Sequence, residues 1–156
     1  MVDFKDLNIE LPLFRHSVKN RVDFYEVDSF EVVHNIRYFY WLECARLEYL
    51  RNIGYKITSK TIVRDLPLMV VHQEIDYLSS LRFDEEYEIL SRVVEVRNSS
   101  LTFRNIIRKY DGNFVAISSA ILVNISPVDF SPNRIPDDLR LMMKDFESDN
   151  IQFIES

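Results

Sequence analysis

One cysteine, Cys44, is all the thiol this chain of 156 residues possesses. An intramolecular disulfide is therefore excluded, and the count fits a reducing cytoplasm. Two glycines and five prolines are too few for a linker-like or disordered chain. No apolar run is long enough to span a bilayer. The opening Met1-Val-Asp-Phe-Lys-Asp-Leu7 lacks a cationic start followed by an apolar core, so no secretory leader is expected. There is no basic block, and the net charge is −6, so nucleic acid is not an expected partner. Gly-x-Ser-x-Gly elbows, phosphate-cradling glycine loops and Cys-x-x-Cys pairs are all missing. His16, His34 and His72 show no metal-ligand spacing to acids, so neither metal nor cofactor is expected.

What the chain does have is apolar mass: 47% of its residues are hydrophobic, ample for one buried core. Residues 1–156 read as a single domain. About 1–13 form an N-terminal arm, and Phe14 to Val27 mix apolar and polar residues like an entering strand. From Asn35 to Ile53 the period turns helical: Ile36, Phe39, Tyr40, Glu43, Leu47 and Leu50 recur at three and four residues and predict the covered face. Trp41, Cys44 and Ala45 add apolar surface on another side, with Cys44 expected as a core thiol. Gly54 stands where a helix C-cap belongs. Pro67–Leu78, Tyr87–Val96, Leu101–Tyr110 and Phe114–Ile125 are rich in Val, Ile, Phe and Tyr and predict strands. Asp111-Gly112 and Asn98-Ser-Ser100 supply turns. Short links between consecutive strands predict antiparallel pairing in sequence order. Asp137 and Asp138 open a last helix, and the tail from Ser148 is expected to be loose. The outcome is an α+β class: a curved antiparallel sheet around one long helix. Its uncovered face and edges predict a homodimer or homotetramer.

The densest chemistry lies at Asp28-Ser-Phe-Glu-Val-Val-His34-Asn35, immediately before that helix. A carboxylate beside a helix N-terminus sits next to backbone N–H donors that have no partner inside the helix. One carbonyl could meet both groups, which suits acyl transfer. Asp28 is the candidate acid; the bland alternative is a turn aspartate bonding its own loop. Asn35 matters through its N–H, while its side chain suits a cap.

The segment Asp28-x-Phe-x-x-Val-x-Asn35-x-x-Tyr38, continued by Glu43-x-Ala-Arg46, resembles the hotdog-fold acyl-CoA thioesterases of the 4-hydroxybenzoyl-CoA thioesterase type. Arg97-Asn-Ser-Ser-Leu-Thr-Phe103 and Arg134-Ile-Pro-Asp-Asp-Leu139 are similar to later parts of that family, and the likeness runs over residues 18 to 140. It implies a hotdog fold, a cytoplasmic thioester hydrolase acting on acyl-CoA or acyl carrier protein, and an acyl group held between two subunits. It also implies catalytic roles for Asp28, as nucleophile or general base, and for the Asn35 amide, which would polarise the carbonyl. His34, Tyr38, Glu43 and Ser99 are candidates for substrate contact. Each has a plainer alternative: polar surface for His34, packing for Tyr38, an Arg46 ion pair for Glu43, a turn for Ser99. Arg92, Arg97, Arg104 and Arg108 could meet coenzyme A phosphates or be solvated strand charges. Glu31 departs from the family, which has glycine there. That departure keeps open a non-catalytic acyl-binding or structural hotdog protein. A hotdog hydratase or dehydratase is the third reading, with His34 as its histidine.

Overall fold

The computed structural model describes residues 4–155. Its centre is α2 (Asn35–Asn52), laid across one face of a six-stranded sheet. The strands are β1 (His16–Arg21), β2 (Leu68–Tyr77), β3 (Glu86–Val96), β4 (Ser100–Lys109), β5 (Phe114–Asn124) and β6 (Gln152–Phe153). Two further helices, α1 (Phe4–Glu10) and α3 (Asp137–Glu147), flank the sheet sequence. The strand order is β1-β3-β4-β5-β2, antiparallel throughout, with β6 added parallel to β3 at Glu95 and Val96. This is the hotdog arrangement.

The strand limits fall within a residue or so of the sequence expectation, but the pairing order does not. β2 pairs β5, not β3. The 78–85 link is no hairpin: it buries Leu81 completely, and the Leu81 carbonyl accepts the Val33 N–H at 2.8 Å. It therefore crosses beneath the start of α2 and delivers the chain to the other side of the sheet. The entering strand is also shorter than expected, because a single 3-10 turn, Phe24–Glu26, follows β1. The tail beyond Ser148 is not loose: Ile151 is buried, and β6 pairs with β3.

Gly54, with φ +97, ends α2. Its N–H bonds the Arg51 carbonyl at 3.0 Å and the Tyr55 N–H bonds the Leu50 carbonyl at 2.9 Å, the paired closure that a left-handed residue makes possible. The covered face of α2 meets the one the period suggested at Leu50 but otherwise lies to one side of it. Tyr38, Trp41, Leu42, Ala45, Arg46, Tyr49 and Leu50 are buried, whereas Ile36 and Tyr40 are 51% and 57% exposed. Cys44 is exposed too, not a core thiol. The helix carries two apolar stripes, and spacing alone does not say which one meets the sheet.

Two clusters lie between helix and sheet. One gathers Tyr49, Val93, Phe103 and Leu122 with Leu139 and Met143 of α3; the other gathers Trp41, Leu42, Tyr87, Ile89 and Ile107. A third lies on the opposite face of the sheet, where Leu7 of α1 is buried with Leu90, Ile106 and Ile117. That outer face also carries the arginines of one parity. Arg104 pairs with Glu10 and Arg108 with Glu88, while Arg92 bonds the Asn150 carbonyl. They serve the fold, leaving no free row for phosphates.

Candidate active site

The loop before α2 is a miniature hairpin. Val27 bridges Val33, and the Asp28 N–H donates to the Val32 carbonyl at 2.9 Å. The Asp28 carbonyl accepts the Glu31 N–H at 3.0 Å, and Asp28 Oδ1 accepts the Phe30 N–H at 2.8 Å. A turn over Asp28–Glu31 whose last residue is left-handed is a common way to close a short hairpin. Glu31 holds that last position with φ +62. This explains why glycine suits the position. The glutamate side chain is 87% exposed and reaches out toward Arg82 at 3.8 Å. It does not line the Asp28–Asn35 cavity described below.

Glu26 fixes the loop to the helix. One carboxylate oxygen accepts the Trp41 Nε1–H at 2.7 Å and the other accepts the Asp23 N–H at 2.8 Å, while the Glu26 carbonyl accepts the His34 N–H at 2.9 Å. Glu26 is 6% exposed, and Trp41 is stacked on Tyr87 with centroids 4.2 Å apart. Sequence reasoning missed Glu26, although Asp23-x-x-Glu26 has the spacing of a capping box.

His34 is the N-cap of α2, its Nδ1 accepting the Ile36 N–H at 3.2 Å. Asn35 is thus the first helical residue rather than the cap. Among the described residues its N–H has no acceptor. Its carbonyl does: Tyr77 Oη donates to it at 2.9 Å. Tyr38 stands edge-on to Tyr77 at 5.2 Å, and burial pushes its phenol up to about 12. The result is a cavity of about 370 Å³ lined by Asp28, Val32, Val33, Asn35, Tyr38, Tyr77, Leu78, Ser79 and Ser80. Asp28 and Asn35 therefore face one space. Asp28 Oδ2 has no partner among the described residues, so one carboxylate oxygen is held and the other is free.

The remaining candidates lie elsewhere. Glu43 is exposed on α2 with no ion pair to Arg46 among the described residues. Ser99 sits in the β3–β4 turn, where its carbonyl accepts the Asn124 N–H at 2.8 Å, beside the other end of α2. Neither lines the cavity. Tyr77 and the Ser79-Ser80 pair do line it and were not foreseen. Only the fold, by carrying β2 past the helix start, puts them there.

The family model for the thioesterase-like superfamily matches residues 22–141. The chain belongs to this superfamily. It is 26% identical over 125 residues to the acyl-CoA thioester hydrolase YbgC of Escherichia coli O157:H7, covering 80% of this chain and 90% of that protein. A crystal structure of a protein from Aquifex aeolicus superposes with TM-score 0.75 and 26% identity over 83% of this chain and 99% of that one. A thioesterase from Thermus thermophilus, complexed with coenzyme A and Zn, has TM-score 0.74 at 23% identity, covering 86% of this chain and 95% of that one. The last of these shows the fold alone. Thioester hydrolysis is the enzyme class that goes with the superfamily.

Proposed function

We propose that this protein hydrolyses an acyl-CoA thioester at the Asp28–Asn35 cavity. The observation that carries the proposal is that Asp28, with one carboxylate oxygen unbonded, and Asn35, whose N–H has no acceptor among the described residues, both line one cavity. The thioester carbonyl oxygen would take the Asn35 N–H. Developing negative charge on that oxygen is stabilised there, and a single such donor is worth on the order of a hundredfold to a thousandfold in rate. Asp28 then acts in one of two ways. As nucleophile, its Oδ2 bonds the carbonyl carbon, the carbon–sulfur bond breaks with release of the thiol, and water cleaves the mixed anhydride. As general base, it takes a proton from the water that attacks. Both routes end in the carboxylic acid and the free thiol. The relatives named for acyl-CoA hydrolysis support coenzyme A as the carrier.

Two rival readings lose their motive. A non-catalytic acyl binder rested on Glu31 beside the acid; that side chain is exposed and, with Asp28, lines a neighbouring cavity rather than the one Asp28 shares with Asn35. A hydratase would need His34 at the reacting carbon, and His34 is not among the residues that line the cavity.

We extend the proposal to a homodimer through β2. This edge strand leaves one side of its ladder unpaired and exposes Met69, Val70, Val71 and Tyr77. An edge of this kind calls for a partner. Self-pairing would set the Leu68 end of one strand against the Tyr77 end of the other, closing the open side of each cavity.

The deciding experiment is a hydrolysis screen over a panel of acyl-CoA substrates with an Asp28→Asn control. The expected result is turnover by the wild-type chain and a loss of about a hundredfold or more in kcat for the variant, with unchanged melting. Near-normal turnover by Asp28→Asn rejects the assignment.

A further inference from the structure

Tyr77 ends β2 and lines the Asp28–Asn35 cavity. Its Oη donates to the Asn35 carbonyl at 2.9 Å, 42 residues back along the chain. A carbonyl oxygen has two lone pairs, so it takes this hydroxyl and still serves the helix ladder. Burial raises the phenol above its ordinary 10.0, so the hydroxyl keeps the proton it donates. The ring is held as well. It stands edge-on to Tyr38 with centroids 5.2 Å apart, and Tyr38 is buried.

The bond matters because of where it lands. Helix ends fray, and the first N–H groups of a helix have no partner inside it. In helical backbone the N–H and C=O of one residue point in opposite senses along the axis, and planar peptides make them turn together. Whatever holds the Asn35 carbonyl therefore holds the direction of the Asn35 N–H. The chain just before the helix is tied too: the Val33 N–H bonds the Leu81 carbonyl at 2.8 Å and the His34 N–H bonds the Glu26 carbonyl at 2.9 Å. Tyr77 adds a tie from the sheet, at the first helical residue. An oxyanion donor works through its aim, since its worth lies in needing no reorganisation as charge develops. Small misplacements cost rate.

We propose that Tyr77 is a positioning residue for thioester hydrolysis: its hydroxyl, by holding the Asn35 carbonyl, keeps the N–H of that residue aimed at the thioester oxygen. This role rests on hydrolysis at the Asp28–Asn35 cavity. Tyr77 makes no bond to the substrate and gives up no proton. Two plainer roles have different signatures. A cavity wall acts on KM, in step with the size of the acyl group. A proton donor to the leaving thiol gives an alkaline limb to the rate.

The test is the kinetics of Tyr77→Phe over the acyl-CoA panel, with pH profiles. The variant keeps the ring and its contact with Tyr38 and removes only the hydroxyl. Because Tyr77 is 45% exposed, melting is expected to change little. The expected result is a fall in kcat of about threefold to tenfold, by one factor for short and long acyl groups, with KM held within about twofold and the pH profile unmoved. A second readout is the Asn35 amide itself. His34-Asn35 is the only His-Asn pair in the sequence, so labelling His at the carbonyl carbon and Asn at the nitrogen isolates its resonance. A ketone analogue of the best substrate, with methylene in place of sulfur, is expected to shift that resonance, and to shift it less in Tyr77→Phe. Wild-type kcat in the variant, or an undiminished shift, overturns the role while leaving hydrolysis standing. A loss confined to KM or growing with acyl size makes Tyr77 a wall, and an alkaline limb lost in the variant makes it an acid; either overturns the role. No turnover by the wild-type chain on any substrate overturns the hydrolysis and this role with it.

Discussion

Glu31 shows how far a single residue can be read without coordinates. The motif identified it as a departure, yet whether its carboxylate entered the pocket depended on a backbone angle that no composition reveals. At φ +62 a non-glycine residue pays about 1–2 kcal/mol of local strain. Glycine would relieve that and give back about 0.4–1 kcal/mol through a freer unfolded chain. The exposed contact with Arg82 adds nothing measurable. Glu31→Gly is therefore expected to gain about 0.8 kcal/mol by this difference, read as a higher midpoint in urea, with kcat unchanged. Glu147 makes a second case. It is fully buried, its Oε1 accepting from Tyr49 Oη at 2.7 Å and from the Val93 N–H at 3.1 Å. Burial raises its carboxyl above the ordinary 4.5, outweighing the hydrogen bonds and Arg92 that act the other way. The folded chain thus keeps a proton that the unfolded chain gives up. The resulting stabilisation is full below the unfolded value and is lost as pH rises through the folded one. Glu147→Gln keeps an acceptor but does not titrate. The stability difference between the two chains is expected to shift in favour of the variant as pH rises from 4 to 8, checked by urea melts across that range.

The elements were the most legible level. Four strands and both long helices follow from runs of β-branched and aromatic residues, from the 3.6-residue period, and from Gly54, Asp111-Gly112 and the Asp137-Asp138 start. What escaped was the link between elements. Nothing in residues 78–85 announces that they pass under α2, and that passage carries Tyr77, Ser79 and Ser80 to the cavity. The hold of the 23–34 loop on α2 also escaped, although the Asp23-x-x-Glu26 spacing carries part of its signal. Glu26→Ala is expected to leave the Trp41 Nε1–H buried and unpaired, lowering stability by about 1–3 kcal/mol. Because the same carboxylate anchors the loop that carries Asp28, kcat is expected to fall while KM changes less. Equal stability by denaturant melt and an unaltered kcat would remove Glu26 from the positioning of the site.

At the scale of the whole molecule, the architecture was visible and its symmetry only inferred. Charge, a single cysteine and dense apolar content left little but one packed domain, and among the described residues no helix is long and apolar enough to cross a membrane. The exposed apolar stripe of α2 and the open β2 edge are the features on which the proposed pairing rests. Val71, 56% exposed on that edge, offers the check. Val71→Asp is expected to convert a dimer into single chains in light scattering, and a wild-type chain that is already single would refute the pairing. The short helix α1 has a separate consequence. By seating Leu7 on Leu90, Ile106 and Ile117, and by tying Glu10 to Arg104, it roofs the back of the sheet. Over that patch the apolar back of the sheet is taken up within the chain and offers nothing to a second sheet stacked behind it.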